Sequence, residues 1–153
     1  MFIYEKDPSI WDNIDNERMK NEFIIHNKSL EIIQKSLSEY LETKRRYFPR
    51  FYFLSDEELL EILADTKDPL KVQKHINKCF EAINYLDFAD HQVVVGMISA
   101  EKENVKFNKK INVNEGDRKG NVEVWLLEIE NTMIETLVKI TDDCIEDLAT
   151  ART

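Results

Sequence analysis

The strongest constraint in the sequence is a proline set between two helical patterns. Residues 48 to 63 read Phe-Pro-Arg-Phe-Tyr-Phe-Leu-Ser-Asp-Glu-Glu-Leu-Leu-Glu-Ile-Leu. Pro49 has no backbone N–H and disfavours helical geometry at Phe48, so the preceding helix must stop and the chain must turn. Phe48, Phe51 and Phe53 follow in what reads as a short extended passage. Rings of this size dominate core energetics, so they are expected to cluster. Ser55 starts a new helix: its hydroxyl can cap it, and Glu58, three residues on, can reach back to the N–H of Ser55. Asp56, Glu57 and Glu58 lie where the helix dipole favours negative charge. The stretch therefore predicts a buried joint between two helices. Arg50, set among rings, suits both stacking and an ion pair and is read as a structural residue.

Upstream, Glu17 to Tyr47 predicts one long helix. Met19, Phe23, His26, Leu30, Ile33, Leu37 and Tyr40 step alternately by four and three, a 3.5-residue repeat on one face. Such a face serves a self-associating coiled coil or an amphipathic helix packed on its own domain. The second is favoured because the repeat barely reaches three heptads. His26 within the stripe reads as a hydrogen-bonded, partly buried side chain. Lys44, Arg45 and Arg46 end the helix, where cations match the dipole. Residues 1 to 16 form a leader, expected to be poorly ordered or to lean on other protein, with turn chemistry at Asp7-Pro8-Ser9 and packing side chains in Trp11 and Ile14.

Downstream of the joint, a second helix runs from about Asp56 to Ala64 and breaks at Asp65-Thr66-Lys67. Asp68 caps a third helix with Pro69 at its first position, where a missing N–H costs nothing. Val72, Ile76, Cys79, Phe80 and Ile83 are its expected buried face. Residues 93 to 113 change character: Val93 to Ile98 read as one strand, Val105 to Val113 as a second, and Ser99 to Asn104 as their hairpin turn. Asn104 is the expected left-handed residue of that turn. The last helix spans about Val122 to Leu148, roughly 40 Å long. Its stripe is Val122, Leu126, Ile129, Met133, Leu137, Ile140, Cys144 and Leu148, with Trp125 beside it as an anchor to the joint or the hairpin. That stripe is longer than a small domain can cover, so part of it is expected to pack against protein outside this chain. Residues 149 to 153 are expected to fray.

No catalytic constellation emerges. Gly116-Asp117-Arg118-Lys119-Gly120 looks superficially like a phosphate loop, but the glycines are misspaced and Asn121 stands where the lysine belongs. His75 and Cys79, four apart on a helix, match a metal-ligand spacing, yet no further pair completes a tetrahedral site. Cys79 reads as a small buried hydrophobe. Two cysteines give no disulfide framework. A formal net charge of −9 argues against a nucleic-acid partner. No apolar run suits a signal peptide or a membrane span. From the residues alone the fold is mainly α: a bundle-like segment of long amphipathic helices with one small β-hairpin, residues 17 to 148 forming a single domain. Such a domain suits protein interaction, and an enzyme with an unrecognised site is only a formal alternative.

The joint also carries a family resemblance. Leu41-Glu42-Thr43-Lys44-Arg45 followed by the 48–63 stretch resembles the linker region of dynein heavy chains. Thr66-Lys67-Asp68-Pro69, Val72-Gln73-Lys74-His75, Lys78-Cys79-Phe80 and Val124-Trp125-Leu126-Leu127-Glu128-Ile129-Glu130 resemble the family's pattern in the same order. Several separate motifs in order are far more specific than one short match. The Lys-Asp-Pro and Asn-Val-Glu-Val-Trp-Leu segments look more axonemal than cytoplasmic. The hairpin departs from the family, which usually carries a glycine where this chain reads Glu101-Lys102-Glu103-Asn104. The resemblance implies a helical lever ahead of a ring of AAA+ modules, which bends and straightens as the ring cycles. It implies no cofactor in this segment, with ATP and Mg bound in the parent motor. The implied partners are the AAA+ ring of the same heavy chain, other dynein subunits and microtubules. The implied location is cytoplasmic and cytoskeletal, in the axoneme of a cilium or flagellum. Stiffness would come from helices locked by Phe48, Phe51, Phe53 and Trp125. The alternative is a stand-alone helical interaction or coiled-coil module.

Overall fold

The computed structural model describes residues 17–64 and 68–151. The expectations for the leader, for the helix break at 65–67 and for the last two residues of the tail lie outside them. Backbone contacts divide the chain into one unit up to Tyr40 and a second from Leu41 onward.

The first unit holds most of helix α1 (Glu17–Tyr47), whose bounds match the heptad pattern. Arg18 to Glu22 is an ion pair one helical turn apart, and Ser29 donates to the carbonyl of Ile25. Phe23, Leu30, Ile33, Leu37 and Tyr40 are all exposed, so the heptad face is not buried as a domain-packed helix would require. His26 is exposed too, where a partly buried, hydrogen-bonded side chain was expected.

The second unit opens with the last turns of α1, where Leu41 is buried. A 3-10 turn (Pro49–Phe53) leads to α2 (Asp56–Ala64). A second 3-10 turn (Pro69–Val72) leads to α3 (Gln73–Cys79). Asp68 caps as expected, its carboxylate accepting from the N–H of Leu70 at 3.1 Å. The third helix is nevertheless shorter than its apolar pattern. At Phe80 the backbone turns extended (φ −135°, ψ 92°), and Ile83 belongs to a strand.

That strand makes the largest departure from the expected fold. Instead of one hairpin there is a three-stranded antiparallel sheet, β1 (Ile83–Asp90), β2 (Val93–Ser99) and β3 (Asn104–Asn112), in the order β1-β2-β3. Met97 in the centre pairs with Leu86 on one side and Val105 on the other. The β1 register shifts between Ile83 and Tyr85 and again around Phe88. Each bulge re-aims the side chains that follow, so the two-residue alternation that marks a strand is broken. The exposed edge of β1 is held by a side chain: the Gln73 amide donates to the carbonyl of Leu86 at 2.7 Å and accepts from its N–H at 2.9 Å.

In the β2–β3 turn the left-handed residue is Lys102 (φ 67°), and Asn104 begins β3. Gly96 sits where β3 approaches closely: a Cβ there would lie 2.7 Å from the carbonyl oxygen of Val105. A short 3-10 turn (Gly116–Arg118) then leads to α4 (Val122–Thr150). The expected fray begins later than 149, because α4 continues to Thr150.

The fold is mainly helical, but the second unit is not a bundle. Its chief helix packing is on the sheet, with α4 against β3 and α3 against β1. The Thr136 hydroxyl accepts from the N–H of Asn108 at 3.2 Å, tying α4 to the free edge of β3. The core lies between: Phe48, Phe51, Leu59, Ile76, Val94, Ile111, Leu126 and Ile129 are essentially inaccessible. Val122, Trp125, Leu126, Ile129 and Met133 bury one face of α4, whereas Leu137, Ile140, Cys144 and Leu148 of the same predicted stripe are exposed.

Candidate functional site

The joint is built on a period of three. A 3-10 helix turns every three residues, so side chains at i and i+3 share a face. Phe48, Phe51 and Leu54 point inward and are buried, while Phe53 points outward at 69% exposure. An extended passage would instead have put residues 51 and 53 on one side. Phe53 is therefore removed from the expected ring cluster, and Phe80 replaces it. Phe48 meets Phe51 edge-on, with centroids 5.0 Å apart and planes at 83°, and meets Phe80 at 6.2 Å. Trp125 is buried in the same core.

Pro49 is the first residue of the 3-10 turn, where it needs no N–H partner. Ser55 and Glu58 form the reciprocal cap: Ser55 donates its N–H to Glu58 at 3.1 Å, and Glu58 donates its N–H to the Ser55 hydroxyl at 3.2 Å. Glu58 also pairs with Lys78. The Lys78 hydrogen bond, then the Ser55 N–H, hold the Glu58 carboxyl below the usual carboxylate range.

Three cations brace this turn. Arg50 lies over the Phe80 ring with its guanidinium carbon 4.8 Å from the centroid. It donates to Glu130 of α4 at 2.7 Å and to the carbonyl of Cys79 at 3.0 Å. Stacking and ion pairing thus occur together, as the setting of Arg50 among rings predicted. Arg45 donates to the Leu54 carbonyl at 3.2 Å and to Asp56 at 2.7 Å, fixing the entry to α2. Lys44 pairs with Glu123 in the first turn of α4, and both side chains are largely buried. Outside these, the Tyr52 hydroxyl donates to Glu42 at 2.8 Å, which raises the phenol's pKa.

The partners Glu123, Glu130 and the Cys79 carbonyl were not singled out from sequence. Their pairing depends on where α4 crosses the joint, which no local pattern encodes. Phe80 was legible as apolar, but its assignment to a helix face hid its place beside Phe48.

His75 is buried on α3, with Nε2 3.4 Å from Glu61 and Nδ1 3.9 Å from Glu58. Burial pushes the neighbouring Cys79 thiol up to about 12, so it stays a protonated, inert side chain. Among the described residues no three His, Cys, Asp or Glu side chains are placed to share a metal ion, and no helix is long and apolar enough to cross a membrane. The glycine loop is a surface turn, with left-handed Gly116 (φ 57°) and Gly120 (φ 76°). Its Arg118 reaches Glu128 of α4 at 2.8 Å. Beside the joint, an open groove of about 420 Å³ runs between α4 and the sheet, floored by Met97, Val105 and Met133.

A family model for the dynein heavy chain, N-terminal region 2, matches residues 1–144. The human protein Dynein axonemal heavy chain 3 is 50% identical over 135 residues, 88% of this chain and 3% of that relative. Mouse Dynein axonemal heavy chain 1 is 56% identical over 107 residues, 70% of this chain and 2% of the relative. Human Dynein axonemal heavy chain 12 is 46% identical over 111 residues, 72% of this chain and 4% of the relative. The chain thus spans a few per cent of the length of the relatives it matches.

Proposed function

The chain belongs to the dynein heavy chain family, and on that premise we propose that it is a segment of the linker, the lever that couples ATP-driven changes in an AAA+ ring to movement along microtubules. In this reading it performs no catalysis. ATP and Mg bind in the ring of the parent chain, whose hydrolysis bends and straightens the lever. The ring, other dynein subunits and microtubules are the partners, and the axonemal relatives favour the cytoskeleton of a cilium or flagellum. One observation carries the reading: the joint is braced on several sides. A lever must not yield where its chain changes direction, and the joint meets that need with buried rings and three cations tied to different elements.

The test is made in the parent motor. Arg50→Gln removes the charge and the fork that grip Glu130 and Cys79. ATP turnover should persist while microtubule gliding slows several-fold. Unchanged gliding, or ATP hydrolysis by the isolated 153-residue chain, would overturn the lever. A second reading, a coiled-coil module, is favoured by the exposed heptad face of α1. Sedimentation separates the two, since a monomer over a wide concentration range excludes self-association.

A further inference from the structure

We propose that the groove between α4 and the sheet, continued along the outer stripe of α4, seats an amphipathic helix whose apolar ridge is bordered by lysine or arginine. The groove is floored by Phe80, Ile83, Met97, Val105 and Met133, and α4 supplies its wall with Ile134 and Leu137. That wall does not end with the groove. Ile134, Leu137, Val138, Ile145 and Leu148 recur at helical spacing and are between 48% and 61% exposed. The apolar track along α4 is about 21 Å from residue 134 to 148. A track of that length fits a helix ridge, not a compact ligand.

Charge selects the partner. Elsewhere in this unit several carboxylates are matched, among them Asp56, Glu58, Glu61, Glu123, Glu128 and Glu130, which each hold a cation. Along the track they are not. Glu81 and Glu103 line the groove, and Glu135, Asp142 and Glu146 flank the stripe on α4, with no ion pair among the described residues. The cations on these segments are few: Arg50 is committed to Glu130, and Lys139 and Lys102 stand against five acids. An apolar partner flanked by acids, or an anionic lipid surface, meets repulsion here. Lysine and arginine instead lay their aliphatic stems over the edge of the track and place their charge beside the carboxylates. The lever reading is not needed for this inference.

The whole 153-residue chain is titrated with two synthetic helical peptides of the same leucine pattern, one flanked by lysine and one by glutamate. Methyl resonances of Met97, Val105, Ile134 and Leu137 should move with the lysine peptide. It should bind about tenfold or more tighter than the glutamate peptide and weaken with salt. Glu81→Gln with Glu103→Gln should lower its affinity several-fold, as should Leu137→Asn, a change at an exposed position that leaves folding intact. Four results would overturn the proposal: no binding, equal binding of both peptides, shifts scattered outside the track, or a chain that sediments alone as a dimer through this stripe. The last would assign the face to a second copy.

Discussion

Truncating Phe51 to alanine should destabilise the chain by about 3–5 kcal/mol. The figure follows from three features of the site. The ring is fully inaccessible, so its transfer out of water is lost, about 1.5–3 kcal/mol for such a side chain. Its edge-on contact with Phe48 at 5.0 Å adds about 0.5–1.5 kcal/mol. The remainder is the cavity, which cannot collapse easily because Pro49 and the cap at Ser55 fix the backbone on either side. For a chain of this size the melting temperature should fall by about 6–20 °C. Phe53→Ala is the matched control. It removes the same ring two residues away, but from an exposed position, and should change stability by less than about 0.5 kcal/mol. Urea titration of both variants, followed by far-ultraviolet circular dichroism and tryptophan fluorescence, reads the difference. Equal losses for the two variants would refute the three-residue period of the joint. A Phe51→Ala midpoint matching the parent chain would refute its burial.

Gly96→Ala should cost about 1–3 kcal/mol, because the new Cβ would press against the Val105 carbonyl and the strands would have to separate; an unchanged urea midpoint would show that β3 does not approach as described. Acid should weaken the second unit through Glu58, Glu61 and Glu128. The Lys78 and Lys74 hydrogen bonds hold the first two low; for Glu128, burial pulls upward but Lys109 and Arg118 prevail. With folded values below unfolded ones, their contribution is complete above the unfolded range, about pH 4–5, and is lost as pH falls through the folded values. The triple variant Glu58→Gln, Glu61→Gln, Glu128→Gln should flatten the acid limb of a melting-temperature profile; a limb of unchanged depth would assign it to other groups.

Local signals were legible wherever one short stretch decides the geometry. Pro49, the Ser55–Glu58 cap, the Asp68–Pro69 start and the bounds of α1 all follow from neighbouring residues and appear where expected. Failures arose where the backbone departs from the period assumed. Phe53 was grouped with Phe51 because an extended chain was expected, and the 3-10 turn separated them. Strand β1 is not legible: only its first residue, Ile83, carries an expectation, as part of a helix face, because Ile76, Cys79, Phe80 and Ile83 continue a helical spacing across the true helix end, and the bulges erase alternation in the rest. Of the site, the rings and Arg50 were visible, but Glu123 and Glu130 were not. They lie more than seventy residues from their cations and are chosen by the crossing of α4.

Rings and cations divide the work of the joint. Apolar burial is not directional: Phe48, Phe51 and Phe80 hold the turn closed, but would tolerate a modest rotation of the end of α1 against α4. Each brace removes one such freedom. Lys44 fixes the end of α1 to the start of α4, Arg45 fixes it to the entry of α2, and Arg50 ties the turn to the third turn of α4 and the end of α3. Buried and half-buried ion pairs add little net stability against apolar replacements of equal volume, while loss of one partner strands the other. Their effect is therefore greatest on geometry, and the fork of Arg50, with donors aimed at two elements at once, is the most restrictive. Ring truncations should accordingly register as melting, and well-packed cation replacements chiefly as a loosened angle. On the lever reading proposed above, the second defect leaves a folded chain that no longer moves its load.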